Sequence, residues 1–293
     1  MLGWLNGRVV DARAARVSAL DRGLLHGDGV YDTWRTYDGR PFALAAHLRR
    51  LAAAARRLEL PAPGASAAWA ARTRTLLRRS GLADGAARLT ITRGDAGVGP
   101  SPESGHRPTI LLTIRPLPAD LVRRQERGTV ATLLPFGRDA GAEWGDVKVV
   151  GHASAVLGKM LALRRRAFDG LYVTRDGLVT EATTSNVFFV QRGVIVTPPL
   201  ALGMLEGVTR AVVMEVARAE NIMLREEPHG PEALAAADEV FVSSTIREVM
   251  PVTSLVFLES PGEQTRQVAG GKPGPIARRL REGFRRYVEQ NHR

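Results

Sequence analysis

The sequence predicts an α+β fold in two domains, a small α/β domain followed by a larger, barrel-like α/β domain. The chain has 293 residues, which is enough for two domains of ordinary size. Many short strand patterns occur with few β-α-β alternations, which is typical of α+β packing or of a barrel. A stretch with no strong period begins at Pro116 and Pro118. We therefore assign residues 1–118 to the small domain, 119–128 to a linker and 129–293 to the larger domain.

Turn signals and apolar spacing define the elements of the small domain. Asn6-Gly7 and Asp38-Gly39 are hairpin dipeptides, so strands are expected on both sides of each. Apolar residues recur every three or four positions from Leu44 to Leu58, which predicts an amphipathic helix that ends before Pro61. The predicted elements are strands at 30–37, 88–92 and 109–115 and helices at 44–58 and 67–79.

The larger domain shows short strands between a few longer helices. Asp176-Gly177 is a third hairpin signal, flanked by apolar runs. The predicted strands are 129–134, 171–174, 178–181, 187–191, 194–197 and 239–243, and the predicted helices are 152–168, 207–220 and 275–290.

Composition excludes several classes of protein. The chain has no cysteine, which removes disulfides, thiolate metal sites and cysteine nucleophiles. Its six histidines lack the short spacings of zinc ligands, so no metal site is expected. There is no run of 18 apolar residues and no signal-peptide pattern, so we expect a cytoplasmic protein without a membrane partner.

The formal net charge of +11 raises the question of a nucleic-acid partner. The arginines are spread along the chain without interleaved aromatic residues, so the pattern favours solvated helix faces, and no nucleic-acid partner is expected. A general attraction for small anionic molecules is what the charge indicates. A non-enzymatic protein that binds anions or nucleic acid remains a remote alternative.

Lysine is rare in this chain, since the 41 basic residues include only Lys148, Lys159 and Lys272. An amine can lose its proton near neutral pH and form a Schiff base, whereas a guanidinium group cannot. Lys148 lies in a short apolar run, Val147 to Val150, that would bury it, and burial lowers the pKa of an amine. A surface lysine on a strand edge fits the same residues, so the pattern alone leaves its role open.

One helix start predicts an anion site without any family argument. Gly207-Val208-Thr209 opens the helix predicted at 207–220, where free backbone N–H groups and a hydroxyl can bind a phosphate.

Six motifs, in order and spacing, resemble the class IV, or fold type IV, aminotransferases that depend on pyridoxal phosphate. This family includes branched-chain and D-amino-acid aminotransferases, some amine transaminases and the aminodeoxychorismate lyases. The resemblance begins near Asn6-Gly7 and runs to the last helix. The motifs are Gly145–Lys148, Asp176–Asn186, Thr197–Pro199, Leu205–Arg210, Ala237–Thr245 and Glu248–Val252.

The resemblance implies roles for individual residues and pyridoxal 5'-phosphate as cofactor. Lys148 would be the catalytic lysine that carries the cofactor as a Schiff base and moves a proton at the substrate. Glu181 would lie beside the pyridine nitrogen, and Leu205 against the ring face. The residues that would bind the phosphate are Arg50, Val208, Thr209, Ser244 and Thr245, and those that would line the substrate pocket are Tyr31, Arg35 and Arg88.

The resemblance also implies transfer of an amino group between an amino acid, aliphatic or branched-chain, and a 2-oxo acid, in a homodimer with the cofactor between the two domains. The D-amino-acid enzymes carry an Arg-x-His pair where this chain has Ala96–Gly99, which argues against standard D-specificity. His152 stands in a run where branched-chain enzymes have Asn and Tyr, and its role is left open. A D-amino-acid or (R)-amine transaminase is one alternative, and an aminodeoxychorismate lyase that releases pyruvate and 4-aminobenzoate is another.

Overall fold

The computed structural model describes residues 1–102, 107–137, 145–259 and 262–291, without the side chains of residues 258 and 259. Its contacts divide the chain into two compact units. Unit 1 contains Met1–Pro118 and Val147–His152, and unit 2 contains Ala119–Asp146 and Ala153–Asn291. Within the described ranges, no helix is long and apolar enough to span a membrane.

Unit 1 combines strands with three helices in its described part. They are β1 (Leu2–Leu5), β2 (Arg8–Asp11), α1 (Arg22–His26), β3 (Gly29–Tyr37), β4 (Arg40–Pro41), α2 (Leu44–Arg57), α3 (Ser66–Arg79), β5 (Ala86–Asp95) and β6 (Arg107–Arg115).

Unit 2 contains the remaining elements. They are α4 (Leu121–Arg127), β7 (Thr129–Leu133), α5 (Ala153–Arg164), β8 (Asp169–Val173), β9 (Val179–Ala182), β10 (Ser185–Gln191), β11 (Val194–Thr197), α6 (Val208–Ala219), β12 (Leu224–Glu226), α7 (Pro231–Ala235), β13 (Glu239–Ser244), β14 (Glu248–Glu259), β15 (Gly262–Gln267) and α8 (Pro275–Asn291).

The described strands of unit 1 form one antiparallel sheet in the order β2-β1-β6-β5-β3-β4. Side chains alternate along β3, so Val30 and Trp34 point into the core while Tyr31 and Arg35 belong to the other face. The apolar stripe predicted for residues 44–58 forms α2, and its Leu48 belongs to the same core. This sheet therefore has one helix-covered face and one face that carries Tyr31.

The chain returns to unit 1 at Val147–His152, although the sequence pattern places these residues in the larger domain. The N–H of Tyr31 donates to the carbonyl of Lys148 at 3.0 Å, and the N–H of Val150 donates to that of Gly29 at 2.8 Å. Val30 and Val149 form an antiparallel bridge between these bonds. The returning segment thus satisfies backbone groups on the edge of β3 opposite β5, which would otherwise stay open.

The sheet of unit 2 closes on itself, which confirms the predicted barrel-like domain. β9 pairs with both β8 and β10, so the ring β10-β13-β14-β7-β8-β9 has no free edge among the described residues. β11 and β12 extend the sheet beyond β10, and β15 pairs with the far half of β14. Core residues such as Phe189, Val242 and Leu255 are buried in this unit. Together with unit 1, this arrangement confirms the α+β class.

Residues 119–128, assigned from sequence to a linker, contain α4 in unit 2. Leu121 is buried in the core of that unit. Asp120 accepts from Nε of Arg124 at 2.6 Å, an i,i+4 pair that supports the helix. The prolines end the preceding strand pattern, but the residues after them form a helix that buries Leu121 and Gln125, four positions apart, on one side.

Candidate active site

The backbone pairing of the returning segment with β3 positions the side chain of Lys148. Lys148 lies opposite Tyr31 in this short ladder and is half-buried. Its Nζ lies 4.7 Å from the centroid of the Tyr31 ring. Arg88 pairs with Thr33 across β3 and β5, and its Cζ lies 3.7 Å from the same centroid. Two cationic side chains therefore contact one aromatic ring, as expected for cation–π interactions.

His152, whose role the sequence left open, also contacts this ring. Its Nε2 is hydrogen-bonded to the hydroxyl of Tyr31, and the two rings meet edge-on with centroids 5.0 Å apart. The chain passes close to α1 just before His152, because a Cβ on Gly27 would lie 3.0 Å from the Cα of Gly151. Gly27 also has a φ of +68°. Glycine therefore suits this position both because of the close approach to Gly151 and because of the positive φ.

Arg35 contacts a different aromatic ring. Its guanidinium lies over Tyr37, with Cζ 4.5 Å from the ring centroid, further along β3. Of the three residues that the resemblance assigns to the substrate pocket, the structure places Tyr31 and Arg88 in contact, and Arg35 lies over the ring of Tyr37.

Arg50 is joined to a buried carboxylate. Its Nε donates to Oδ2 of Asp32 and its Nη2 to Oδ1, both at 2.8 Å. His47, one turn earlier on α2, lies 2.9 Å from the same Oδ1 through Nδ1. Burial alone would raise the pKa of Asp32, but the charge of Arg50 and the hydrogen bonds from Arg50 and His47 outweigh it and hold that pKa well below its ordinary value.

Replacing Arg50 with alanine is expected to lower the free energy of unfolding by about 3 kcal/mol, because Asp32 would stay buried without its strongest partner. The matched control is Arg49→Ala, since Arg49 is exposed on the same helix and the change should cost less than about 0.5 kcal/mol. Urea denaturation of both variants, followed by circular dichroism, measures the difference. Equal losses would show that the pair with Asp32 is not what stabilises this region.

In unit 2, Glu181 lies near the end of β9 and is buried. Asn186 lies directly opposite in β10, and its Nδ2 is 3.4 Å from Oε2 of Glu181. The backbone N–H of Leu205 approaches the same oxygen at 3.4 Å, and the carbonyl of Leu205 accepts from Nδ2 of Asn186 at 3.0 Å. Asn186 therefore connects the carboxylate to the segment that leads into α6.

The start of α6 lies against the same asparagine. A Cβ on Gly207 would meet Oδ1 of Asn186 at 1.9 Å, so a larger residue there would displace the Asn186 amide. Gly207 caps the helix without a side-chain hydrogen bond, which leaves the N–H groups of the first turn, at Val208 and Thr209, to other acceptors. Thr209 is itself buried.

A second group of hydroxyls follows β13. Ser243 lies opposite Asn186 in the sheet, and its buried Oγ has no hydrogen-bond partner among the described residues. Ser244 ends the strand, and Thr245 lies in the turn before β14; both are half-buried. Sheet pairing thus brings the β13 end next to Asn186, which also contacts the helix start.

The other two lysines differ from Lys148. Nζ of Lys159 on α5 lies 2.8 Å from Oδ1 of Asp169 and donates to the carbonyl of Phe168 at 2.8 Å. Burial lowers the pKa of Lys159 to about 8, and the carboxylate of Asp169 opposes that shift. Lys272 follows a 3₁₀ turn at Ala269–Gly271. Lys159 therefore has the environment of a structural ion pair, while Lys148 lies among Tyr31, Arg88 and His152.

Comparison with known proteins decides the family. The family model described as "Amino-transferase class IV" matches residues 29–255. The chain belongs to the class IV aminotransferases. This family catalyses transamination with pyridoxal phosphate as cofactor, in agreement with the resemblance seen in the motifs.

Similar proteins include some named as branched-chain aminotransferases and some named as D-alanine aminotransferases. A protein of Methanocaldococcus jannaschii named "Putative branched-chain-amino-acid aminotransferase" is 33% identical over 282 residues, which are 96% of this chain and 94% of that one. A "D-alanine aminotransferase" of Staphylococcus epidermidis is 32% identical over 288 residues, which are 98% of each chain. The solved branched-chain aminotransferase of Thermoproteus uzoniensis, with norvaline, is 27% identical with a TM-score of 0.87 and covers 99% of this chain and 95% of its own.

The residues of each unit fit the cofactor of a class IV aminotransferase. In unit 2, a buried carboxylate at Glu181 suits a protonated ring nitrogen. The uncapped start of α6 and the unpartnered Oγ of Ser243 are donors that a phosphate would satisfy. In unit 1, Lys148 offers an amine. Arg50, expected from sequence to bind phosphate, donates from Nε and Nη2 to Asp32, and its contact with the phosphate stays a prediction.

Two residues that contact candidate site residues had no role in the sequence interpretation. Asn186 lies inside the motif Asp176–Asn186, but its position opposite Glu181 became visible only in the structure. Asp32 is an acid at a core-facing position of β3, between Val30 and Trp34, which is itself a signal of a buried partner.

Proposed function

We propose that this class IV aminotransferase binds pyridoxal 5'-phosphate through Lys148 and transfers an amino group between a branched-chain or other aliphatic amino acid and a 2-oxo acid. The observation that supports it best is the setting of Lys148, a half-buried amine held by backbone pairing to β3. The names of the Methanocaldococcus jannaschii relative and of the Thermoproteus uzoniensis structure support the branched-chain substrate.

The bound cofactor supplies an electron sink for the charge that develops at the substrate α-carbon. Lys148 would hold the cofactor and then, as a free amine, carry a proton away from the α-carbon. Glu181 would keep the ring nitrogen protonated, since a buried carboxylate that accepts from Leu205 and Asn186 favours a cation beside it. The N–H groups of Val208 and Thr209 and the hydroxyls of Ser244 and Thr245 would bind the phosphate.

The loop after β5 supports an aliphatic substrate. Residues 96–99 carry no charged side chain that could bind a second carboxylate. Unit 1 itself fixes this loop, because Arg22 donates to the carbonyls of Gly97 at 3.2 Å and Pro100 at 2.7 Å. His26 contacts the carbonyl of Val98 at 3.0 Å through Nε2. A D-alanine substrate is the second candidate, favoured by the nearly equal identity to the Staphylococcus epidermidis protein.

Half-reactions of the cofactor-loaded enzyme test this proposal. L-Leucine, D-alanine, (R)-1-phenylethylamine and aminodeoxychorismate are added separately while the visible absorption of the cofactor is recorded. We expect L-leucine to bleach the visible band, and 2-oxo-isocaproate to restore it. Bleaching by D-alanine but not by L-leucine would contradict the branched-chain assignment. Pyruvate released from aminodeoxychorismate without any 2-oxo acid would identify a lyase instead.

We also propose that the enzyme is a homodimer. Along α5, Val156, Leu157, Met160 and Leu163 are each between 46% and 69% exposed. Val156, Met160 and Leu163 are spaced by four and three residues, so they share one face of the helix. A stripe of large apolar side chains on one helix is what an interface between protein chains buries.

A further inference from the structure

The buried carboxylate of Asp169 in unit 2 is contacted by three side chains. Asp169, the first residue of β8, is almost fully buried. Its Oδ2 accepts from Nη1 of Arg247 at 2.9 Å, and its Oδ1 lies 2.8 Å from Nζ of Lys159. The hydroxyl of Thr183 donates to the same Oδ1. Two cations and a hydroxyl thus compensate the buried charge.

Arg247 connects this carboxylate to two separate turns. It lies in the turn between β13 and β14, where its N–H donates to the carbonyl of Ser244 at 3.1 Å. Its Nη1 also lies 2.9 Å from Oγ1 of Thr184 and 2.7 Å from Oγ of Ser185, at the turn between β9 and β10, so its two hydrogens are shared among three acceptors. One guanidinium therefore holds the turn that carries Ser244 and Thr245 against the turn that follows Glu181.

Further contacts fix the guanidinium and its backbone. Cζ of Arg247 lies 4.6 Å from the centroid of the Phe168 ring. Nε2 of Gln125 donates to the carbonyl of Arg247 at 2.9 Å, so α4 also restrains the turn. Nη1 of Arg247 is thus held by Asp169, Thr184 and Ser185.

We propose that Arg247 is a positioning residue for the phosphate of the cofactor, acting through the turn that presents Ser244 and Thr245. This inference rests on the proposed binding of pyridoxal phosphate. Hydroxyl donors bind a phosphate well only when their turn is fixed before the ligand arrives, because ordering it on binding would cost affinity. Loss of Arg247 therefore weakens the contribution of the phosphate group, while the aldehyde and ring of the cofactor bind as before.

The test compares two ligands that differ only in the phosphate. The full chain is freed of cofactor and titrated with pyridoxal 5'-phosphate or with pyridoxal, and Kd is read from the absorbance of the bound aldehyde. For Arg247→Leu we expect Kd for pyridoxal phosphate to rise about tenfold, as for other residues that orient a binding group. Kd for pyridoxal should stay within about twofold, and inorganic phosphate should compete about tenfold less well.

Two other variants complete the test. Arg124→Leu is the matched control, because Arg124 stacks on the same Phe168 ring at 4.8 Å but pairs with Asp120. It should leave both Kd values within about twofold. Thr184→Val removes one acceptor of Arg247 at an exposed position, and it should raise Kd for pyridoxal phosphate alone by about threefold. This variant keeps the question decidable if Arg247→Leu fails to fold.

The outcomes separate the two proposals. Equal losses for pyridoxal phosphate and pyridoxal would show that Arg247 supports the fold in general, and unchanged values would show that it does not act on the phosphate; either result overturns the inference. If the parent protein binds neither ligand, the proposed function itself fails.

Discussion

Replacing Lys148 with alanine is expected to abolish transamination. Lys148 belongs to unit 1, whereas Lys159 and Lys272 belong to unit 2 and Lys159 is paired with Asp169, so we expect neither to replace the amine that holds the cofactor and moves the proton. Loss of a positioned acid–base group alone costs about 10²- to 10⁴-fold in rate. Losing the covalent attachment as well should bring turnover with L-leucine to the background level, measured in single-turnover assays with stoichiometric cofactor.

The attachment site is measured directly on the parent enzyme. Borohydride reduction followed by peptide mass spectrometry should place the cofactor on Lys148. The control Lys272→Ala should keep both labelling and activity, because Lys272 lies outside the six motifs of the family resemblance, after a 3₁₀ turn of unit 2. A label on Lys159 or Lys272, or substantial turnover in Lys148→Ala, would remove Lys148 as the catalytic lysine.

Replacing Glu181 with glutamine is expected to preserve the fold and cofactor binding but to lower kcat by about 10²- to 10³-fold, an effect of about 3–4 kcal/mol. The amide is nearly isosteric and can still accept from the N–H of Leu205, so the buried site stays filled. It carries no charge, however, and cannot keep the ring nitrogen of the cofactor protonated. Stopped-flow rates of the L-leucine half-reaction measure the effect on the chemical step.

Glu206→Gln is the control for this variant, because Glu206 is exposed in the same segment as Leu205. It makes the same chemical change near the site and should leave kcat within about twofold, as expected of a surface substitution. A Glu181→Gln enzyme as fast as the parent would refute the role of this carboxylate.

Local patterns predicted local structure well. The stripe from Leu44 to Leu58 forms α2, and the hairpin at Asp176-Gly177 lies between β8 and β9. Closure of the barrel also agrees with the expectation from many short strands. These features depend on residues that are near one another in sequence, or on the number of short strand patterns along the chain. Apolar periodicity reports both directly.

Long-range pairing could not be predicted in the same way. The bridge between Val30 and Val149 joins residues on opposite sides of the assigned domain boundary, and both are valines that suit many strands. The ion pair of Arg50 with Asp32 is similar, because the sequence shows two separate charged residues and only the fold makes them neighbours. Arg247 was one arginine among many until its contacts with Asp169 were visible. Site roles taken from the family resemblance, including those of Ser244 and Thr245, stay predictions until the variants are measured.

The late return of the chain to β3 has a consequence for biosynthesis. The ribosome synthesises Met1–Pro118 before Val147–His152. The first unit therefore lacks the segment that pairs with the edge of β3 until residues 147–152 have been made. At roughly 5–20 residues per second this wait is on the order of a few seconds. During it, the backbone of Gly29–Tyr31 is open to other extended chains, and a proteolytic fragment ending at Pro118 would keep that exposed edge permanently.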